Sequence, residues 1–157
     1  MRLILIVICI GFLLLGGCAG DATKTQGSGA KQIQTRTLSF RQHNLTLFVE
    51  IANTTTQINQ GLMMRGSLGE KSGMLFDMGR MSRQSFWMYR TLIPLDAIFM
   101  DEQMRVVDII QMEPCAEKNA SKCVQYAPKT DMRHILEVNG GSALKWGIKE
   151  GEKAELD

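Results

Sequence analysis

At 157 residues, with 45% of them hydrophobic, the chain has the length of one domain and enough apolar material for a single core. The formal net charge is +2, and Arg2 is the one charged residue among the first seventeen, so the remainder balances 17 basic against 16 acidic residues. That near-neutrality, with no basic stripe, argues against nucleic acid as a partner.

The chain opens with Met1 and Arg2, then an apolar run from Leu3 to Leu15. As a helix these thirteen residues reach about 20 Å, short of the roughly 30 Å of hydrocarbon that a permanent span must cross. A short basic start and an apolar run of this length predict a signal peptide over residues 1–17. Leu15-Gly16-Gly17-Cys18 resembles a lipobox. Small residues let an extended chain enter a processing protease, and the Cys18 thiolate can take up a diacylglyceryl group. An ordinary secretory peptide carrying an incidental cysteine is the weaker reading. The expectation is a lipoprotein cut before Cys18 and anchored to a membrane through acyl chains there. Two chains already suffice for stable attachment. Ala19, rather than Asp, follows the cysteine. In an organism with two membranes this resembles the class sorted to the outer membrane, facing the periplasm. Residues 18–34 then form the lipidated cysteine and a tether rich in Gly, Ser, Thr, Lys and Gln, and residues 35–157 form one folded domain.

Four cysteines are present. With Cys9 in the signal peptide and Cys18 acylated, Cys115 and Cys123 remain, and an oxidising compartment makes them a disulfide. A zinc site lacks a second ligand pair, since His43 and His134 are scattered, and the spacing is not that of a Cys-x-x-Cys redox motif.

Along the folded part, Thr37 to Phe40 reads as a strand. Asn44 to Ile51 reads as another, with Leu45, Leu47, Val49 and Ile51 on one face. Thr54 and Gln57 fit a capping box. The helix that follows is expected to carry Ile58, Leu62 and Arg65 on one side, with Gly66 and Gly69 stopping it. Gly73 to Asp77, Ser85 to Arg90, Pro94 to Met100 and Arg105 to Met112 read as short strands, the last two joined by a turn at Asp101-Glu102-Gln103. A strand from Arg133 to Val138 follows the cysteine loop. Ser142 is placed to cap a short helix running through Trp146 to Gly147, and Lys153 to Leu156 is a last strand. The sum is an α+β, mainly β class: a small, partly closed, barrel-like antiparallel or mixed sheet with one or two short helices.

Ser85-Phe86-Trp87-Met88-Tyr89-Arg90-Thr91-Leu92-Ile93-Pro94-Leu95-Asp96-Ala97-Ile98-Phe99 is distinctive. Taken with Gln60-Gly61-Leu62-Met63-Met64-Arg65, Gly73-Met74-Leu75-Phe76 and Leu136-Glu137-Val138-Asn139-Gly140-Gly141, it resembles the domain-of-unknown-function family 192 (DUF192). That family carries G-L-M-x-R, G-M-L-F, F-W-M-x-x-T-x-I-P-L-D and L-E-x-x-x-G in this order. The resemblance covers Thr37 onward. It implies a small β-barrel-like α+β fold and frequent export, and it supplies no reaction. The departure is Tyr89-Arg90, where the family usually shows Lys-Asn.

Asp96 shares a strand face with Ile98 and Met100, and Glu137 shares one with Ile135, and a carboxylate on an apolar face is costly unless paired. Arg65 is a candidate partner for Asp96. The expected pocket comprises Arg65, Trp87, Arg90, Thr91, Asp96 and Glu137: Trp87 a platform, Arg65 an anion clamp, the carboxylates acceptors or an acid/base pair. Against this stands a purely structural role tying helix to sheet. No nucleophile elbow, H-E-x-x-H or phosphate loop is present. Met74, Met78 and Met81 could offer thioethers to Cu(I), but alternation splits them between strand faces, and core filling is the favoured role. The expectation is therefore no cofactor and no metal, and an accessory module that binds a small molecule, a glycan or an envelope protein. The alternative is a hydrolase acting on an envelope polymer through Asp96 and Glu137.

Overall fold

The computed structural model describes residues 33–157; the expected signal peptide, Cys18 and nearly all of the tether lie outside the described residues. Strands β1 (Gln34–Phe40) and β2 (Leu45–Ala52) pair antiparallel across a 3-10 turn at Arg41–His43. Asn44 closes that turn at φ 48°, a left-handed conformation that Asn tolerates better than most side chains. Leu45, Leu47, Val49 and Ile51 point into the core as the alternation predicts.

Helix α1 (Thr55–Gln60) carries the predicted capping box: the Gln57 amide donates to Thr54 Oγ1 and the Thr54 amide to Gln57 Oε1, both at 3.3 Å. It ends a full turn earlier than the sequence implies. Gly61 adopts φ +46°, and its amide donates to the Gln57 carbonyl, so Leu62 to Met64 form a turn and Arg65 lies outside the helix. This connection lets β3 (Ser72–Ser82) lie parallel to β2, a pairing that needs a crossover. Strand β3 is longer than expected, with a bulge near Gly79 at φ +73°.

Strands β4 (Leu95–Met100) and β5 (Val106–Met112) form the predicted hairpin, and the Asp101 carboxylate accepts the Gln103 and Arg105 amides at 2.9 and 2.8 Å. Strand β6 (Met132–Asn139) lies between β4 and β3. Helix α2 (Ser142–Trp146) follows, and β7 (Glu155–Leu156) pairs with β1. The sheet order is β5-β4-β6-β3-β2-β1-β7. Residues 151–154 also bond to the start of β5, with Val106 N to Glu152 O and Gly151 N to Val106 O at 2.8 Å, and Ala154 N to Met104 O at 2.9 Å. The C-terminal segment thus reaches from one sheet edge to the other, which makes the mixed sheet partly closed.

Ser85 to Arg90 is not a strand. Only single bridges form, Phe86 to Tyr126 and Tyr89 to Cys115, and Arg90 turns left-handed at φ 56°. Its alternating apolar residues pack as a cover rather than as a sheet member. The sheet has a core on each side. One holds Leu38, Leu47, Leu75, Ile98 and Val138 with Ala143 and Ile148 from around α2. The other holds Met74, Phe76, Met88, Leu95, Ala97, Phe99 and Ile135, beneath α1 and the 84–94 segment.

Candidate functional site

A cavity of about 180 Å³ opens on the second of these faces, between the end of α1, the 84–91 segment and the middle of the sheet. Its floor is Glu137. Strand β6 pairs Glu137 with Met74 on one side and Ala97 on the other, in the middle of the sheet. The residue is 7% exposed, and its carboxyl makes no hydrogen bond to another described residue. Burial pushes its pKa up to about 7, because the charged form has lost water and gained no partner.

Phe76 and Phe86 form an aromatic wall, with ring centroids 6.4 Å apart in an edge-on arrangement. Trp87 stands at the mouth, 48% exposed, and Thr91 lies buried in the lining. The side chains of Gln60, Gln84 and Ser85 line the opening and bond to no other described residue. Among the described residues, no Lys, Arg or Asp lines the cavity.

Three of the six residues predicted for the pocket therefore converge: Trp87, Thr91 and Glu137. Three do not line it. Arg65 makes a bidentate pair with Glu50, at 2.5 and 2.6 Å, in place of the expected partnership with Asp96. Arg90 is exposed and lies 5.2 Å from the Tyr89 ring centroid, while Tyr89 donates to the Lys118 carbonyl at 3.4 Å. The departure from the family pattern at these two positions thus lies outside the cavity. Asp96 is enclosed on the other face, where Oδ1 accepts the Gly141 amide at 3.0 Å and Oδ2 the Ala143 amide at 2.8 Å. Asp96 pairs across strands with Val138, and Glu137 with Ala97. Since successive strand residues face opposite ways, the two carboxyl groups point to opposite sides of the sheet.

Asp96 also displaces Ser142 from its expected role. Gly141 occupies the cap position at φ +80°, Ser142 is the first helical residue, and its hydroxyl caps nothing. A distant strand supplies the acceptor instead. The residues missed by sequence reasoning are Gln60, Phe76, Gln84, Ser85 and Phe86. Most of them belong to the motif segments quoted above, and the signal that could have found them was that those segments converge in space.

Cys115 and Cys123 form the expected disulfide. It closes the segment that supports the cavity wall: Phe86 and Tyr126 exchange two backbone bonds at 2.8 Å, and the Cys115 amide donates to the Met88 carbonyl at 3.3 Å. In the chain-entropy picture a loop of this length contributes about 2.5 kcal/mol. Reduction is expected to lower the unfolding free energy by about that amount, read from urea transitions with and without a reductant.

His43 bonds Glu152 at 2.8 Å. His134 Nδ1 is buried without a hydrogen bond, 3.8 Å from Asp77, and burial lowers the ring's pKa against the opposing pull of Asp77. Met74 is buried, Met78 half-buried and Met81 exposed, so the three occupy different environments. Among the described residues, no group of three or more His, Cys, Asp or Glu side chains is placed to hold a metal ion, and no helix is long and apolar enough to cross a membrane.

Among solved structures, the chain is similar to a protein of Sinorhizobium meliloti 1021 described as a candidate transcription regulator. The two share 25% identity and superpose with a TM-score of 0.71 over 82% of this chain and 98% of that one. It is also similar to a protein of unknown function from Novosphingobium aromaticivorans DSM 12444, at 33% identity and a TM-score of 0.67, over 78% of this chain and 84% of that one. No curated protein matches the chain. The sequence profile of DUF192, described as "Uncharacterized ACR", matches residues 37–156, which takes in every strand and helix but the first residues of β1. The chain belongs to the DUF192 family.

Proposed function

We propose that this protein is an envelope lipoprotein whose folded domain is an accessory module that binds a small ligand in the cavity above Glu137. One observation carries the binding reading. A carboxyl group lies enclosed at the floor of an open cavity with no partner among the described residues, beside an aromatic wall and amide side chains that bond to no other described residue. Burying a carboxyl this way costs stability unless something supplies hydrogen bonds to it, and a ligand is the natural supplier. The size suits one ring, since an engineered cavity of about 150 Å³ admits benzene. A fragment of an envelope glycan or a free small molecule fits that description, with Trp87 as the platform at the mouth.

The hydrolase alternative requires Asp96 and Glu137 to act together. Their opposite orientations and the commitment of Asp96 to two backbone amides weigh against it. The regulator description attached to the Sinorhizobium protein does not transfer, since 18 basic against 16 acidic residues leave little attraction for nucleic acid.

The anchoring half of the reading rests on Leu15-Gly16-Gly17-Cys18 and the apolar run before it. It places the protein in the cell envelope, on the outer membrane facing the periplasm where two membranes exist. Metabolic labelling with palmitate is expected to mark the wild-type chain and leave Cys18→Ser unmarked and released from the membrane fraction. An unmarked wild type removes the anchor. For the binding half, native mass spectrometry of the full chain in mild detergent is expected to reveal a co-purified mass of one-ring size. That mass should be lost on blocking the cavity with Thr91→Trp. A co-purified mass that persists in the blocked variant overturns the assignment of the site.

A further inference from the structure

We infer that the cavity above Glu137 selects a ligand bearing a protonated amine, which enters between Trp87 and the Phe76–Phe86 wall and sets its N–H donors on the Glu137 carboxylate. The inference rests on the binding reading above and narrows it to a class.

The charges around the cavity point that way. Among the described residues, Glu137 is the one ionisable side chain in its lining. Helix α1 contributes no titratable group. On β4, Asp96 faces the other side of the sheet. On β3 and β6, Asp77 and Arg133 are bonded to each other at 3.2 Å. Arg90, in the covering segment, is exposed against Tyr89. Among the described residues, then, no protein cation neutralises Glu137. An anionic ligand would add a second uncompensated negative charge beside a buried carboxylate. A neutral polyol could share a hydrogen bond but would gain nothing from the carboxylate's charge. An ammonium group supplies both N–H donors and the missing positive charge, and a charge-assisted bond is roughly twice as strong as a neutral one.

The walls fit the same class. Aromatic faces carry negative quadrupole density and attract organic cations, most strongly through Trp. Phe76, Phe86 and Trp87 place three such rings around one carboxyl. The amide side chains of Gln60 and Gln84 and the Ser85 hydroxyl at the mouth can hold polar groups on the rest of the ligand.

A matched pair of probes tests this. Benzylamine and benzyl alcohol share size and shape, and differ in charge near pH 8, where both the amine and Glu137 are largely ionised. Calorimetric titration of the full chain is expected to show benzylamine binding at least about tenfold more tightly than the alcohol. Of the two tryptophans in the chain, Trp87 should report the binding, so the fluorescence change should vanish in Trp87→Phe. Glu137→Gln should bring the amine to within about twofold of the alcohol. Equal affinity of the two probes in wild type overturns the amine class while leaving the cavity a binding site. An amine preference that survives Glu137→Gln also overturns it. Binding of neither probe overturns it too, and the binding reading is then decided separately by the co-purified mass. The wild-type comparison needs no variant to fold.

Discussion

Replacing Asp96 by Ala is expected to lower the unfolding free energy by about 3 kcal/mol and the melting temperature by roughly 10 °C. The carboxylate accepts the Gly141 and Ala143 amides at 3.0 and 2.8 Å, and both Asp96 and Ala143 are 3% exposed. Deleting it leaves the Ala143 donor buried and unpaired, removes the acceptor that caps α2, and opens a small void. Each of these costs on the order of 1 kcal/mol or more. Asp96→Asn should cost about half as much, because the amide oxygen can serve one donor while the NH₂ confronts the other. Thermal unfolding followed by circular dichroism gives the answer. A loss below about 1 kcal/mol for Asp96→Ala would show that α2 is held by its apolar contacts alone. The folded variant should still take up whatever wild type takes up, since Asp96 lies on the far face of the sheet from the cavity.

Glu137→Gln is expected to act in the opposite direction and to depend on pH. The carboxyl is pushed up to about 7 from its ordinary 4.5 by burial. A raised carboxyl pKa means that between these values the folded state holds a proton that the unfolded state releases. Stability from this group is therefore intact below about pH 4.5, falls as pH rises, and reaches its full loss above about pH 7. The shift corresponds to about 3 kcal/mol for this buried group. Gln has nearly the same shape and no charge to desolvate. Urea transitions should find the variant and wild type similar near pH 4.5, with the variant more stable by about 2–3 kcal/mol near pH 8. A gap that stays constant with pH would mean that the carboxyl is not the source.

The strand pattern was legible because its cause is local. Leu45, Leu47, Val49 and Ile51 recur every second residue, and a strand with one buried face demands that spacing. The capping box at Thr54 and Gln57 was legible for the same reason, since both partners lie within one turn. The errors arose where a nearby signal met a distant competitor. Ile58, Leu62 and Arg65 keep helical spacing, yet Gly61 turns left-handed and Met64 donates its amide to the Arg90 carbonyl at 2.7 Å. Ser85 to Arg90 alternates like a strand, yet its backbone partners are the isolated positions Met64, Cys115 and Tyr126 rather than a neighbouring strand. Ser142 has the chemistry of a cap, and Asp96, 47 residues before Ala143, takes the role.

Local periodicity, cap chemistry and cysteine spacing in the amino-acid order determined the class of fold, the positions of most elements and the disulfide, because each depends on residues close along the chain. Which side chains meet in the cavity was decided by tertiary structure alone. Asp96 and Glu137 look alike as acidic residues among apolar neighbours, and nothing local distinguishes them. The pairing of β4 with β6 turns one toward backbone amides that satisfy it, and the other into the cavity, where it meets no partner among the described residues.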